Sequence, residues 1–149
     1  DCGEFCITAA ERSLTGSYNA VTPARAITMG HMLDVCKNVS GSDASFTWID
    51  EDFLEARGVS AWGHLPAWIP PTAPGYEGFG QISVERSIKG GLTFRTLEDT
   101  TKATLEWLDT LTPERLARIE GGVVQGRGGA GIPAEMEAEV LKAWHESRG

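Results

Sequence analysis

Residues 91–108 read GLTFRTLEDTTKATLEWL, and their pattern predicts a change from strand to helix within this stretch. Residues 92–94, LTF, predict a short strand. Thr96 and Asp99 stand three residues apart, which is the spacing of a capping-box-like helix start. The helix that follows would present one apolar face, made of Leu97, Thr101, Thr104, Leu105 and Leu108. We therefore expect a strand followed directly by an amphipathic helix.

The residues before this stretch alternate between helical and strand patterns. Residues 2–13 carry apolar side chains at helical spacing, and residues 17–21, SYNAV, form a short apolar run with high β-propensity. Thr28 is a good N-cap for a helix that would stop at Gly41. Residues 44–50, ASFTWID, alternate as a strand does. The order strand, helix, strand predicts two parallel strands joined by a right-handed crossover.

The remaining helices are predicted from residues that favour helix starts, namely Asp50, Ser83, Pro113 and Pro133. The last of these helices would turn Met136, Val140 and Trp144 to one side. The predicted fold class is therefore α/β and α+β-like, with a small, partly parallel sheet and flanking helices.

Residues 126–131 match the dinucleotide fingerprint G-x-G-x-x-G. That fingerprint works only between a buried strand and a helix, with an acidic residue about 20 positions further on. Here only Val123 and Val124 precede it, and the chain leaves no room for a second strand. We reject the match and predict a Gly-rich linker at 121–132, between a domain at 1–120 and a C-terminal helix at 133–149.

The composition restricts the partners. The net charge is −8 without a Lys/Arg cluster, so a nucleic-acid partner is not expected. No apolar run approaches the roughly 20 residues that span a bilayer. We expect a cytoplasmic protein with no membrane partner. The opening DCGEFCITAAERSL reads as the inside of a helix without an initiator Met, which predicts processing or a piece of a longer polypeptide.

No metal site or reaction centre is predicted. Cys2, Cys6 and Cys36 lack metal-like spacing, and we expect them to be buried, reduced thiols. The paired carboxylates at 51–52 and 98–99 fall in first helical turns, where the helix dipole accounts for them. No serine-hydrolase or zinc-hydrolase motif is present.

The aromatic loop at residues 59–80 is the most suggestive feature. It combines prolines and glycines with Trp62, Trp68, Tyr76 and Phe79, and therefore predicts irregular structure. Such loops often line ligand pockets, where an imidazole such as that of His64 can form a hydrogen bond. Aromatic residues in a long loop can equally cover the core. The sequence leaves both interpretations open.

Several segments together resemble one known family. Residues 16–36, GSYNAVTPARAITMGHMLDVC, are similar to the segment of extended short-chain dehydrogenases/reductases that follows the catalytic half. Residues 79–108, FGQISVERSIKGGLTFRTLEDTTKATLEWL, resemble their C-terminal signature, in which a capped helix leads to Gly-Leu-x-Phe-Arg-x-Leu and a helix ending in Trp. Residues 46–71 and 134–146 are similar to a bacterial subgroup of NAD-dependent epimerases/dehydratases or reductases.

The resemblance implies a parent enzyme that binds NAD(P) through an N-terminal Rossmann half and transfers hydride with a Ser/Thr and a Tyr-x-x-x-Lys pair. This chain holds no complete Rossmann half, and neither Tyr18 nor Tyr76 is followed by Lys at the fourth place. Residues 1–120 would then be the substrate-binding C-terminal domain, with no cofactor and no catalytic residue of its own. Whether the chain is an enzyme by itself stays open.

By the same resemblance, this part closes the substrate pocket of an enzyme that oxidises or reduces a carbinol carbon of a sugar nucleotide or similar small molecule. The expected lining consists of Asn19, Val21, Trp62, His64, Trp68 and Arg86. Arg86 would anchor an anionic group, since guanidinium suits phosphates and carboxylates.

The alternative is a stand-alone module for small-ligand binding or oligomerisation, without catalysis. In either case we expect two kinds of partner. One is a small-molecule substrate, and the other is the missing Rossmann half or a second copy of the chain. A homo-oligomer is expected because surface that packs on the Rossmann half would otherwise be bare.

Overall fold

The computed structural model describes residues 1–66, 68–70, 72–120, 123–124, 127–128 and 131–149, and these residues are mainly helical. Their elements are, in chain order, α1 (Cys2–Glu11), α2 (Met29–Ser40), α3 (Glu51–Glu55), α4 (Glu85–Lys89), α5 (Leu97–Leu108), α6 (Pro113–Glu120), β1 (Val123–Val124), β2 (Arg127–Gly128) and α7 (Ala134–Glu146).

The prediction of an α/β fold with a parallel sheet is wrong. Within the described residues, the only strands are β1 and β2, two residues each, and they pair antiparallel. The segments 17–21, 44–50 and 92–94, predicted as strands, have no strand structure. An alternating or apolar pattern shows that a segment suits a strand, but a strand persists only where its N–H and C=O groups pair with a neighbour.

In segment 17–21, two backbone carbonyl oxygens are contacted by side chains and not by a neighbouring strand. The Ser87 hydroxyl donates to the Asn19 carbonyl oxygen at 2.6 Å, and the Cys2 thiol lies 3.6 Å from the Ala20 carbonyl oxygen. The side-chain Nδ2 of Asn19 in turn donates to the Ser83 carbonyl oxygen at 3.1 Å. These contacts hold the segment in an irregular conformation.

The helix starts predicted around α2 and α5 are confirmed. The Thr28 hydroxyl accepts a hydrogen bond from the His31 amide at 3.2 Å, and α2 ends before Gly41 in the left-handed conformation. The Thr96 hydroxyl accepts from the Asp99 amide at 3.1 Å. These hydroxyls pair amide groups that the helix itself leaves unpaired, which typically stabilises a helix by about 1 kcal/mol.

The start of α3 directly after Asp50 is confirmed, although the Asp50 carboxylate accepts from Arg148 Nη2 at 3.2 Å and not from an α3 amide. The start of α4 differs from the prediction. Val84 is the residue before α4, so that helix begins one position later than a Ser83 cap would place it. The helices at Pro113 and after Pro133 are confirmed.

Two compact units divide the chain, and each combines two separate segments. The first contains Asp1–Asp43 with Glu77–Trp107, and the second Ala44–Tyr76 with Leu108–Gly149. The described core of the first unit consists of Phe5, Val35, Val84 and Leu92, together with the fully buried Ser87. That of the second consists of Val59, Val140 and Trp144.

Long-range polar contacts close the first unit at its N-terminus. Arg95 Nε donates to Asp1 Oδ1 at 2.9 Å, and the Arg95 amide donates to the other oxygen at 3.2 Å. Arg12 Nη1 donates to the Gly90 carbonyl oxygen at 3.3 Å. The α1 helix is thereby tied to the turn between α4 and α5.

An aromatic cluster forms the centre of the second unit. Trp144 of α7 packs edge-on against Phe53 of α3, with ring centroids 4.8 Å apart. The guanidinium of Arg148 lies 4.0 Å above the Trp144 ring, and that of Arg57 lies 3.4 Å above the Phe53 ring. The predicted inward face of the last helix is confirmed, since Val140 and Trp144 are both buried.

The Gly-rich stretch is described only in part. Half of the residues in the rejected fingerprint at 126–131, and half of those in the predicted linker at 121–132, fall outside the described residues, so the predicted division around that linker stays a prediction. The predicted burial of the cysteines is wrong, because Cys2 and Cys6 are exposed on α1 and Cys36 is only half-buried, although all three thiols are free.

Candidate functional site

The six residues predicted to line a pocket fall into two sets. Asn19, Val21 and Arg86 belong to the first unit, and Trp62, His64 and Trp68 belong to the second. Each set is therefore a separate candidate within its own unit.

In the first set, both polar residues hold the fold together. Asn19 uses its side-chain amide on Ser83 and its carbonyl oxygen on Ser87. Val21, two residues further on, is exposed. A ligand here would meet an amide that already donates to the backbone.

Arg86 lies near the start of α4, as predicted. Its Nη2 donates to the Thr15 carbonyl oxygen at 2.8 Å, and its guanidinium lies 4.4 Å above the Tyr18 ring. Tyr18 in turn packs edge-on against the buried Phe5, with centroids 5.8 Å apart. These contacts give Arg86 a structural role in this unit, while its anion-anchoring role stays a prediction.

The second set lies on one tight turn, which we call the aromatic turn and define as the described residues 60–66 and 68. The Ser60 carbonyl oxygen accepts from the His64 amide at 3.1 Å and from the Leu65 amide at 3.3 Å. The Trp62 amide donates to the Trp68 carbonyl oxygen at 3.0 Å. The backbone thus brings all three predicted residues of this set together.

Trp62 and Trp68 differ in exposure. Trp62 has a positive φ of 61°, which is uncommon for a bulky residue, and its side chain is 60% exposed. Trp68 is half-buried. The sequence left open whether the aromatic residues of this loop line a ligand pocket or cover the core. A role in covering the core does not fit Trp62, because it is 60% exposed.

The His64 ring is held by Ser60. Nδ1 lies 3.0 Å from the Ser60 amide nitrogen and 3.0 Å from the Ser60 hydroxyl oxygen. An amide N–H can only donate, so Nδ1 must accept and the proton of the neutral ring resides on Nε2. His64 therefore offers an N–H donor at Nε2.

A groove that the sequence did not indicate lies on α5 in the first unit. It has a volume of about 220 Å³ and is lined by Arg95, Thr100, Ala103, Thr104 and Trp107. Several of its polar atoms already have partners: Arg95 Nε donates to Asp1, the Thr100 hydroxyl donates to the Thr96 carbonyl oxygen, and the Thr104 hydroxyl donates to the Thr100 carbonyl oxygen. Thr104 was predicted to face the core, and it is exposed.

The described residues contain no group of three or more His, Cys, Asp or Glu side chains that could hold a metal ion. None of the helices in the described ranges is long and apolar enough to cross a bilayer. At the start of α6, backbone and Thr112 hydrogen bonds lower the pKa of Glu114, a capping effect outside both candidate sets.

Comparisons with protein-family models, curated proteins and solved structures give no match.

Proposed function

We propose that this chain is the C-terminal, substrate-side part of an NAD(P)-dependent extended short-chain dehydrogenase/reductase of the epimerase/dehydratase type. It would supply pocket walls and specificity to a Rossmann half that binds the cofactor, and it would not be catalytically complete alone. The compound held would be a sugar nucleotide or similar small molecule with a carbinol carbon.

The order of the segments is the observation that carries this proposal. The resemblance includes a Thr-capped helix after SYNAV, and α2 begins with the Thr28 cap. It also includes a helix that leads through Gly91–Leu97 to a second helix ending in Trp, and α4 and α5 are arranged in that order. These local features support the proposal without any similarity of overall fold being assumed.

Exposed apolar side chains also support a missing partner. Seven hydrophobic side chains of the described residues are buried, whereas twelve large ones are exposed. The exposed set is Ile7, Val21, Ile27, Phe46, Trp48, Trp62, Tyr76, Phe79, Ile82, Ile88, Phe94 and Trp107. A single exposed hydrophobic side chain is ordinary in a folded protein. A chain that exposes more large hydrophobic side chains than it buries is typical of a protein whose surface is covered by another protein.

The gene tests this proposal directly. We expect the reading frame upstream of Asp1 to continue into a strand, a G-x-x-G-x-x-G turn and a helix, followed by Tyr-x-x-x-Lys. A start codon immediately before Asp1 would overturn it, because the chain alone holds neither the cofactor fingerprint nor the Tyr-x-x-x-Lys pair.

The alternative is a stand-alone module that binds a small ligand or associates with itself. The same exposed apolar side chains favour it, because a second copy could cover them as well as a Rossmann half could. The two candidates differ in whether the gene encodes that half.

Self-association is expected in either case for the isolated chain. Light scattering at tens of micromolar protein should give a mass of at least twice the 16.0 kDa of one chain, because exposed apolar surface favours association. The measurement needs a reductant, since the exposed Cys2 and Cys6 could otherwise link copies covalently. A monomer mass under these conditions would contradict the predicted homo-oligomer.

A further inference from the structure

We propose that the aromatic turn binds an uncharged ring of its ligand, which stacks on Trp62 and accepts a hydrogen bond from the Nε2–H of His64. The inference deepens the proposed function by naming what the second set of residues contacts. It rests on that function only in taking this loop as part of a ligand site.

The first step is the fixed tautomer of His64. The Ser60 amide at 3.0 Å keeps Nδ1 an acceptor, so Nε2 carries the proton. In this arrangement Nε2 cannot take a proton from a ligand. His64 is thus a specificity residue that selects an acceptor oxygen, and not a general base.

The Nε2–H of His64 has no hydrogen-bond partner in the ranges that the structure describes. Among the described residues, His64 forms its side-chain hydrogen bonds through Nδ1, both of them with Ser60. No buried side-chain nitrogen or oxygen in the described part of the chain lacks a partner. An unpartnered Nε2 in the described part of the chain is therefore not fully buried, and in the proposed complex a ligand oxygen reaches it there.

The third step is the position of the indole. The Trp62 backbone is held in the left-handed region between two hydrogen bonds, Trp62 to Trp68 at 3.0 Å and Gly63 to Ala61 at 2.6 Å. Backbone strain of this kind persists only where the surrounding structure imposes it. The result is a tryptophan with a constrained backbone, 60% exposed and two residues from the His64 donor.

The charge of the loop decides what kind of ring fits. Residues 58–84 contain no Lys, Arg or Asp, and their charged or titratable groups besides Tyr76 are His64 and Glu77. Just before them, Arg57 is engaged with Phe53, over whose ring it lies at 3.4 Å. The loop therefore lacks a cation that could hold a phosphate or carboxylate, and the ligand part it contacts is neutral.

Two kinds of ligand combine an uncharged ring with an acceptor oxygen. One is a pyranose, with its apolar face and its hydroxyl oxygens, and the other is a planar aryl group with a carbonyl oxygen. The probes are two matched pairs, methyl β-D-glucopyranoside with glucose 6-phosphate, and acetophenone with benzoate. Binding is followed by the chemical shifts of the tryptophan indole N–H groups and the His64 ring nitrogens in NMR spectra.

We expect one neutral probe to bind weakly, with a Kd on the order of 1 mM for a single ring, and its anionic counterpart to bind more weakly still. Which neutral probe binds tells the two kinds of ligand apart. Trp62→Ala should weaken binding at least tenfold. His64→Asn keeps an acceptor oxygen for the Ser60 amide but removes the Nε2–H donor, so it should weaken binding several-fold while the turn stays intact.

Trp48→Ala is the matched control, because Trp48 is an exposed tryptophan of the same unit outside the turn. Binding of neither neutral probe, tighter binding of an anion, equal losses in Trp48→Ala and Trp62→Ala, or a proton on Nδ1 would each overturn the inference. The experiment needs no Rossmann half, so its failure leaves the gene test of the proposed function standing, and the reverse holds too.

Discussion

Trp144→Ala is expected to lower the free energy of unfolding by about 3–5 kcal/mol, the usual loss for a large aromatic residue removed from a core. Trp144 is only 7% exposed, and it links α7 to Phe53 of α3 at 4.8 Å. Its removal leaves a cavity and takes away the ring under the Arg148 guanidinium. Urea denaturation followed by far-UV circular dichroism measures the loss.

Trp48→Ala controls for the loss of any tryptophan from the second unit. Trp48 is 64% exposed, so its replacement should change the free energy of unfolding by no more than about 0.5 kcal/mol. Comparable losses in the two variants would show that the contact between α7 and α3 is not the centre of this unit.

Leu92→Ala is expected to cost about 2–4 kcal/mol, because Leu92 is 4% exposed and its truncation leaves a cavity in the first unit. Phe94→Ala, two residues further on, should cost much less, since Phe94 is 40% exposed. The same denaturation experiment measures both variants.

This pair also tests the correction to the predicted fold. In a strand, residues two apart face the same side of the sheet, so Leu92 and Phe94 would be buried or exposed together. The structure separates them because segment 92–94 is irregular. Equal losses at the two positions would favour the strand that the sequence predicted.

The helices were predictable because their signals are local. Thr28 and Gly41 bound α2 through contacts within a few residues, and Thr96 begins α5 in the same way. The inward face of α7 followed from the spacing of Val140 and Trp144. Each of these signals requires nothing from distant parts of the chain.

The strands were not predictable for the opposite reason. Whether residues 17–21 become a strand depends on a partner far away in sequence, and here Ser87, 68 residues from Asn19, supplies the hydrogen bond. Nothing in the pattern SYNAV shows which group will pair with its carbonyl oxygens. β-propensity describes how side chains suit a pleated surface and does not supply the neighbour.

The irregular structure around the candidate site was predictable. The prolines and glycines of residues 59–80 indicated it, and Trp62, His64 and Trp68 lie on one turn there, while their binding of a ligand stays a prediction. The role of the imidazole was not predictable, because it depends on a 3.0 Å contact between Nδ1 and the Ser60 amide. The sequence also did not indicate that Asn19, Val21 and Arg86 belong to one unit and the aromatic turn to the other.

The composition of each unit from two separate segments has a consequence for synthesis on the ribosome. Asp1 cannot form its hydrogen bond with Arg95 until that residue, 94 positions later, has been synthesised. Asp50 likewise cannot pair with Arg148 until that residue, 98 positions later, has been synthesised. Domains commonly fold in order as they emerge, but neither unit can close until its second segment has left the exit tunnel. Phe5 and Val35 thus stay open to chaperones for most of translation, so a ribosome stall before residue 77 would leave a nascent chain without a folded unit.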